Sequence, residues 1–469
     1  MKRSESGRIS SLEDAARYLD GLINRERGSD YAYARLDLRP IAALVDALGR
    51  PQDRLSIVHV AGSKGKGSTC LLVEALLGAL GERVGTFTSP HLVSWLERFR
   101  IAGRDVAAAT LAAAVERVRP AVDALRDGPP ETLPSFFDAT TAVALLLFAE
   151  ARVDRAILEV GLGGRLDSTN VVRPAVTCIT SIELEHTDKL GPTEARIAGE
   201  KAGILKPGVP AVLGRLGRDA ERVIRARAAE VGAPVFARGE HFEVFVEQDG
   251  VGATGQTIRF ESSGWAPIRA SLPVLGDAAV SNAALALACV RALDVHGEAA
   301  IRRAAGSGLA AAKLPGRIEI LSHDPAVVID AAHTARSAQV LAEVLGKLAP
   351  SGCALLMSIS SDKDVDAVLA ALLPRATRIW LTRADPQRSL DPGRLAERVR
   401  QQRSELPIEV VEDPIVAARA ARAALGPGER MCAVGSVYLA GAARQALANP
   451  GPKAEAPELA PRTIVRREG

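Results

Sequence analysis

Short apolar runs alternate with longer stretches of helical period along most of the chain. Residues 55–62 (LSIVHVAG), 83–88 (RVGTFT), 155–164 (RAILEVGLGG), 175–182 (AVTCITSI) and 209–214 (VPAVLG) are nearly unbroken in apolar character. Runs of that length and composition predict strands covered on both faces. Between them, residues 68–80, 111–125, 136–151 and 193–205 repeat their apolar positions every three or four residues, which predicts helices. Such alternation is the pattern of an open, doubly wound, mostly parallel α/β sheet. Residues 241–272 switch to period two around a Gly-rich turn and predict a small antiparallel insertion. A helix over 277–293 and an Ala/Gly-rich join at 306–317 follow. A second βα series then begins, with strands expected at 326–333, 353–360, 378–384, 408–413 and 430–436. These predict a smaller Rossmann-like domain. The expected division is 1–309 for the first domain and 310–449 for the second, with a Pro- and charge-rich disordered tail at 450–469.

Composition narrows the class without changing the fold. At 469 residues the chain exceeds one ordinary core, and 47% hydrophobic with 25% charged residues is a globular balance. A formal charge of +3, with Lys and Arg scattered, gives no field that would call for nucleic acid or an anionic membrane. The five cysteines are far apart with no CxxC pairing, which argues against a zinc site or disulfide framework and fits a reducing compartment. No apolar h-region opens the chain, and TAVALLLFAEA is too short to cross a bilayer. A cytoplasmic monomer is the expectation.

Chemistry enters at VHVAGSKGKGSTCLL (58–72), where a strand runs through a Gly- and Lys-rich loop into a helix. Gly62, Gly65 and Gly67 let the backbone turn tightly enough to aim several N–H groups at one anion. The helix start adds partial positive charge at the same point. Lys66 would reach the β- and γ-phosphates, and Ser68 or Thr69 would help place a phosphate oxygen or magnesium. The strict G-x-x-x-x-G-K-[ST] pattern is not met, because Gly follows Lys66. The second glycine cluster, EVGLGGRLDSTN (159–170), fails the dinucleotide fingerprint at its final glycine. It instead leaves Glu159 at the carboxyl end of a strand, where open α/β sheets carry their ligand chemistry.

Seven further segments occur in one order with the loop: TSPHLVSWLERFRIAG (88–103), EVGLGGRLDSTN (159–170), ELEHTDKLG (183–191), EKAGILKPGVP (200–210), LPGRIEIL (314–321), DAAHTARSAQ (330–339) and GSVYLAG (435–441). Together, over residues 40–445, they resemble the folylpolyglutamate synthase and dihydrofolate synthase members of the Mur ligase family. The resemblance implies a P-loop Mur-ligase-type central domain and a C-terminal ligase domain that closes over ATP. It implies an ATP-dependent amide ligase that phosphorylates a carboxylate and lets the amine of L-glutamate displace phosphate. The acceptor would be a folate, with dihydropteroate a second candidate. Such chemistry sets an anion against a triphosphate, so charge neutralisation is its main requirement.

By the same resemblance, Ser89, Glu159 and His186 would gather magnesium, and Lys201 would be carried as a carbamate. Arg317 and Asp330 would close over ATP, with Asn282 near the base and ribose. His333 and Ser436 would face glutamate, and Asp138 the pterin side. Read from residues alone, His186 is equally a surface or N-cap histidine, Lys201 an exposed helix-face lysine, Ser436 a plain N-cap and Asp138 a first-turn carboxylate. Three departures stand out: Ser-Lys replaces Thr-Asn in the loop, ELEHT replaces Gly-x-Asp-His-Thr, and DAAHTA replaces Asp-Gly-Ala-His-Asn-Pro. They bear on substrate preference more than on chemistry. Two alternatives stay open, a Mur-type ligase acting on another carboxylate and a non-catalytic nucleotide-binding relative.

Overall fold

The computed structural model describes residues 8–24, 33, 36–249 and 255–448. Contacts divide the chain into two compact units whose sequence boundary lies between Ile318 and Glu319. The expected boundary at 309/310 falls inside the helix Glu298–Ala311, whose buried Ile301, Ala305 and Leu309 belong to the first unit's core. The expected tail at 450–469 lies outside the described residues.

The main sheet of the first unit has eight strands among the described residues: β1 (Ile57–Ala61), β2 (Val84–Phe87), β3 (Phe99–Ile101), β4 (Arg104–Asp105), β5 (Arg155–Glu159), β6 (Val176–Ile179), β7 (Ala211–Leu213) and β8 (Val235–Ala237). Their spatial order is β4-β3-β2-β5-β1-β6-β7-β8. β2, β5, β1, β6, β7 and β8 pair in parallel, while β3 and β4 add an antiparallel edge. The chain leaves β1 toward one edge and returns through β5 to cross toward the other, so the loop after β1 sits where strand order reverses.

Period two along β1 and β5 sends successive side chains to opposite faces. Val58, Val60 and Ile157 enter one core with the helices Lys66–Ala79 and Asp277–Ala292. Ile57, Ala156 and Leu158 enter a second core with the helices Leu12–Asp20, Ala108–Arg126 and Phe136–Glu150. The insertion is three-stranded rather than a simple hairpin: β9 (Phe242–Asp249), β10 (Gln256–Ser262) and β11 (Ile268–Leu272) form an antiparallel sheet in the order β11-β10-β9. Its alternate residues Phe242, Val244, Ile258, Phe260, Ile268 and Ala270 join the first of those cores.

The second unit holds β12 (Glu319–His323), β13 (Ala326–Ile329), β14 (Cys353–Met357), β15 (Ala376–Leu381), β16 (Ile408–Val410) and β17 (Arg430–Val434). They order as β12-β13-β17-β14-β15-β16, parallel except for the β12–β13 hairpin. All five cysteines are buried free thiols. Among the described residues no helix is long and apolar enough to cross a membrane.

Candidate functional site

The loop after β1 is shaped by contacts that a side chain would destroy. Gly65 caps the helix Lys66–Ala79 at φ +82, and a Cβ there would lie 2.3 Å from Asn282 Oδ1. Gly67 stands in the first turn, where a Cβ would come within 3.1 Å of Glu159 Oε2. Asn282, 8% exposed on the helix Asp277–Ala292, therefore abuts the loop from one side, and Glu159 at the end of β5 abuts it from another. Among the described residues no side chain caps this helix start, and the first-turn N–H groups have no intrahelical acceptor. Ser68 is 7% exposed; Thr69 is sealed at 0%, and its N–H donates to Gly65 O at 2.8 Å. Thr69 is thus drawn into the helix, leaving Ser68 as the hydroxyl nearer the loop's open side.

Two lysines converge on the loop. Lys66 Nζ donates to Gly62 O at 3.0 Å, and Lys201 Nζ donates to the same oxygen at 2.9 Å. Sequence pattern made Lys201 an exposed helix-face residue; it is instead 1% exposed, and its ammonium also donates to Glu185 Oε1 at 3.1 Å. Burial, reinforced by repulsion from Lys66, brings its pKa down to about 8 against the pull of Glu185. Glu185 is held below the usual carboxylate range: desolvation, its largest influence, raises it, but Lys201, Lys66 and Lys64 together outweigh that.

Glu159 is 5% exposed and accepts the Ser89 N–H at 3.0 Å. Burial raises its pKa despite Lys66, the Ser89 amide and Arg317. His186 caps the short helix Thr187–Leu190 in left-handed backbone (φ 47), and burial lowers its pKa. Among the described residues no three His, Cys, Asp or Glu side chains cluster as a ready metal cage. Magnesium does not need one, since it keeps waters and phosphate oxygens and takes one or two protein oxygens. A buried carboxylate beside Ser89, against a helix turn kept clear by Gly67, has the hard donors and the space that such an ion requires.

Arg317 lies within two residues of the contact boundary, on the side of the first unit, and acts electrostatically on Glu159. Asp138 lies in the first turn of the helix Phe136–Glu150. Its Oδ2 accepts the Ser135 N–H at 2.8 Å and the Ser135 hydroxyl at 2.6 Å, and its Oδ1 accepts Ser168 Oγ at 2.7 Å. With both oxygens engaged and 4% exposure, it is the capping-box acid of the helix Phe136–Glu150. Arg98 is 3% exposed, and its guanidinium carbon lies 5.1 Å from the centre of the Trp95 ring and 5.5 Å from that of Phe136. Sequence reading missed this buried arginine, because its aromatic partner Phe136 is remote in the chain.

In the second unit, the parallel pairing of β13 and β17 sets the loops after them side by side. Asp330 Oδ1 accepts the Ala332 N–H at 2.8 Å, and its own N–H donates to Ala433 O at 3.0 Å. Gly435 N–H donates to Ala332 O at 2.9 Å. His333 Nδ1 donates to Ala331 O at 2.8 Å, which orients the ring. Ser436 Oγ accepts the Tyr438 N–H at 3.1 Å, the N-cap geometry weighed above. Asp330, His333 and Ser436 therefore share one strand-end ledge.

Sequence and structure comparisons address the same regions. Residues 60–290 match the Mur ligase middle domain, and residues 316–437 match the Mur ligase glutamate ligase domain. A dihydrofolate synthase/folylpolyglutamate synthase of Mycobacterium tuberculosis is 37% identical over 414 residues, covering 84% of each chain. The chain belongs to that family of Mur ligases. The folylpolyglutamate synthase of Lacticaseibacillus casei is 32% identical over 88% of this chain and 94% of its own. Among solved structures, M. tuberculosis folylpolyglutamate synthase complexed with ADP and AMPPCP aligns with a TM-score of 0.82 at 33% identity, covering 94% and 99% of the two chains. The E. coli enzyme in complex with DHPP and ADP aligns at 0.79 with 30% identity, covering 93% and 97%. As a family member, the chain is an ATP-dependent ligase of Mur type, and its two α/β units follow the family architecture.

Proposed function

We propose that this ligase joins L-glutamate to folates, and to dihydropteroate as a first acceptor, through an acyl phosphate. The observation that carries the reading is the loop Gly62–Ser68, where Lys66 and Lys201 meet at the Gly62 carbonyl beside an uncapped helix start and the buried Glu159. The likeness to relatives solved with ADP and DHPP, and with Mn, AMPPNP and L-glutamate, supports the same substrates.

In the first step, an acceptor carboxylate oxygen bonds to the γ-phosphorus of ATP and the bond to ADP breaks. Two anions must meet, so Lys66 and the first-turn N–H groups bind and orient the phosphates. Glu159, with Ser89 and His186, would hold magnesium, which supplies charge neutralisation between phosphates when bound. Asn282, against Gly65, fixes the nucleotide side of the loop, and Arg317 and Asp330 are assigned to ATP. In the second step the amine of glutamate bonds to the acyl carbon, phosphate leaves, and the amine proton is lost. His333 and Ser436 are assigned to that glutamate.

A carbamate on Lys201 belongs to the same reading. A buried amine with pKa near 8 exposes its neutral, CO2-reactive form more than an ordinary lysine. The neutral amine adds to CO2 and releases one proton. Intact-mass measurement in isotope-labelled bicarbonate tests it; a side chain that takes up no label refutes it. The ligase reading is tested by phosphate release from ATP with glutamate and either tetrahydrofolate or dihydropteroate. Release that depends on glutamate and on one of these acceptors supports it. Release with a muramoyl peptide alone, or ATP binding with no release, overturns it.

A further inference from the structure

Glu185 serves two lysines at once. Its Oε1 accepts from Lys201 Nζ at 3.1 Å, and its Oε2 lies 3.4 Å from Lys64 Nζ. The two lysines differ in freedom, with side chains 2% and 42% exposed respectively. The Lys64 backbone is clamped: its N–H donates to Ser181 Oγ at 2.9 Å, and its carbonyl accepts Thr180 Oγ1 at 2.5 Å. Among the described residues its ammonium has one ion pair, loose and partly wet, a contact of little net strength. Lys64 and Lys66 bring two side-chain ammonium groups to the loop, and Glu185 stands beside the first of them.

We propose that Lys64 is a second side-chain cation of the phosphate loop, which Glu185 positions and yields to a phosphate oxygen when the triphosphate binds. The clamped backbone delivers the flexible stem to one spot, and a compact ammonium can trade a 3.4 Å carboxylate contact for a more highly charged phosphate. Glu185 thus keeps the Lys64 ammonium from spreading into solvent before the nucleotide arrives. This role rests on the ligase reading given above.

The test is a set of steady-state phosphate-release assays on Lys64→Gln, Lys64→Arg, Glu185→Gln and the double variant K64Q/E185Q. Lys64→Gln should lower kcat/KM for ATP about tenfold, the effect of roughly one favourable charge contact. KM for glutamate and the thermal midpoint should stay at wild-type values, and Lys64→Arg should recover most of the loss. The double variant should lose less than the product of the two single losses, because the two side chains act on each other. Unchanged ATP kinetics in Lys64→Gln, a loss that follows the thermal midpoint instead, or strictly multiplicative losses would each overturn the proposal. A wild-type protein inert toward every pteroyl acceptor would defeat the ligase reading alone. Titration with a fluorescent ATP analogue would still decide the role of Lys64, by a weaker Kd in Lys64→Gln or an equal one.

Discussion

Replacing Gly65 with alanine, set against the same change at Gly78 in the same helix, isolates what the phosphate loop requires of its backbone. At Gly65 the chain adopts φ +82, and left-handed backbone costs a residue with a Cβ roughly 1–2 kcal/mol. The added carbon would sit 2.3 Å from Asn282 Oδ1 and 3.0 Å from its Cγ, so the whole amide must leave its place. Driving that side chain off its rotamer costs about 0.5–1.5 kcal/mol more. The sum is about 1.5–3.5 kcal/mol, or a factor of roughly 10–400 in the population of the intact loop. Gly78 is helical, with nothing within 4 Å of an added Cβ, so alanine there should stabilise by about 0.5–1 kcal/mol. The assay pairs thermal unfolding with titration of ATP. Gly65→Ala should weaken ATP binding at least tenfold or lower the midpoint by several degrees, whereas Gly78→Ala should do neither and raise the midpoint. If Gly65→Ala binds ATP as wild type does and melts no lower than Gly78→Ala, the loop is not preorganised by this contact.

Other outcomes follow from the same geometry. Lys66→Ala should abolish phosphate release while leaving circular dichroism and the melting profile intact, and a fully active variant would remove that lysine from the chemistry. Asp138→Ala strips acceptors from Ser135 and Ser168 in a buried site and should destabilise the protein by about 2–3 kcal/mol; retained stability with lost folate affinity would instead restore its substrate role. Asp167 is buried, and desolvation raises its pKa to about 6, well above its unfolded value. Its folded form holds the proton more tightly, so its contribution to stability is complete below about pH 4 and is lost as pH rises through 6, by about 3 kcal/mol in all. Asp167→Asn should therefore flatten the stability profile between pH 4 and 6 relative to wild type. An unchanged slope would contradict the burial argument.

Much of this architecture was legible because buried parallel strands announce themselves as short apolar runs. Val58, Val60 and Ile157 face one helical layer while Ile57, Ala156 and Leu158 face the other, so these runs carry no polar alternation. The phosphate loop was legible for a different reason: glycines between a strand and a helix have few other uses. The register of long-range polar contacts was not. Lys201 looked exposed because its helical spacing says nothing of the Gly62 carbonyl 139 positions away in sequence. The bond from Ser168 to Asp138 was equally hidden, because Ser168 belongs to a loop that only the fold brings near. The domain boundary slipped into the helix Glu298–Ala311 because its Ala/Gly-rich sequence resembles a linker while its small residues allow close packing; a Cβ at Gly308 would lie 2.7 Å from Ala75 O.

The central claim is that lysines, main-chain dipoles and a cation at Glu159 bring a triphosphate and an acid substrate together. A crystal structure of the protein grown with AMPPNP and manganese tests it most directly, since manganese is located by its anomalous signal. The account predicts phosphate density over Gly62–Ser68 and an anomalous peak in coordination distance of Glu159. Phosphates bound elsewhere in the first unit, or a manganese peak remote from Glu159, would contradict it.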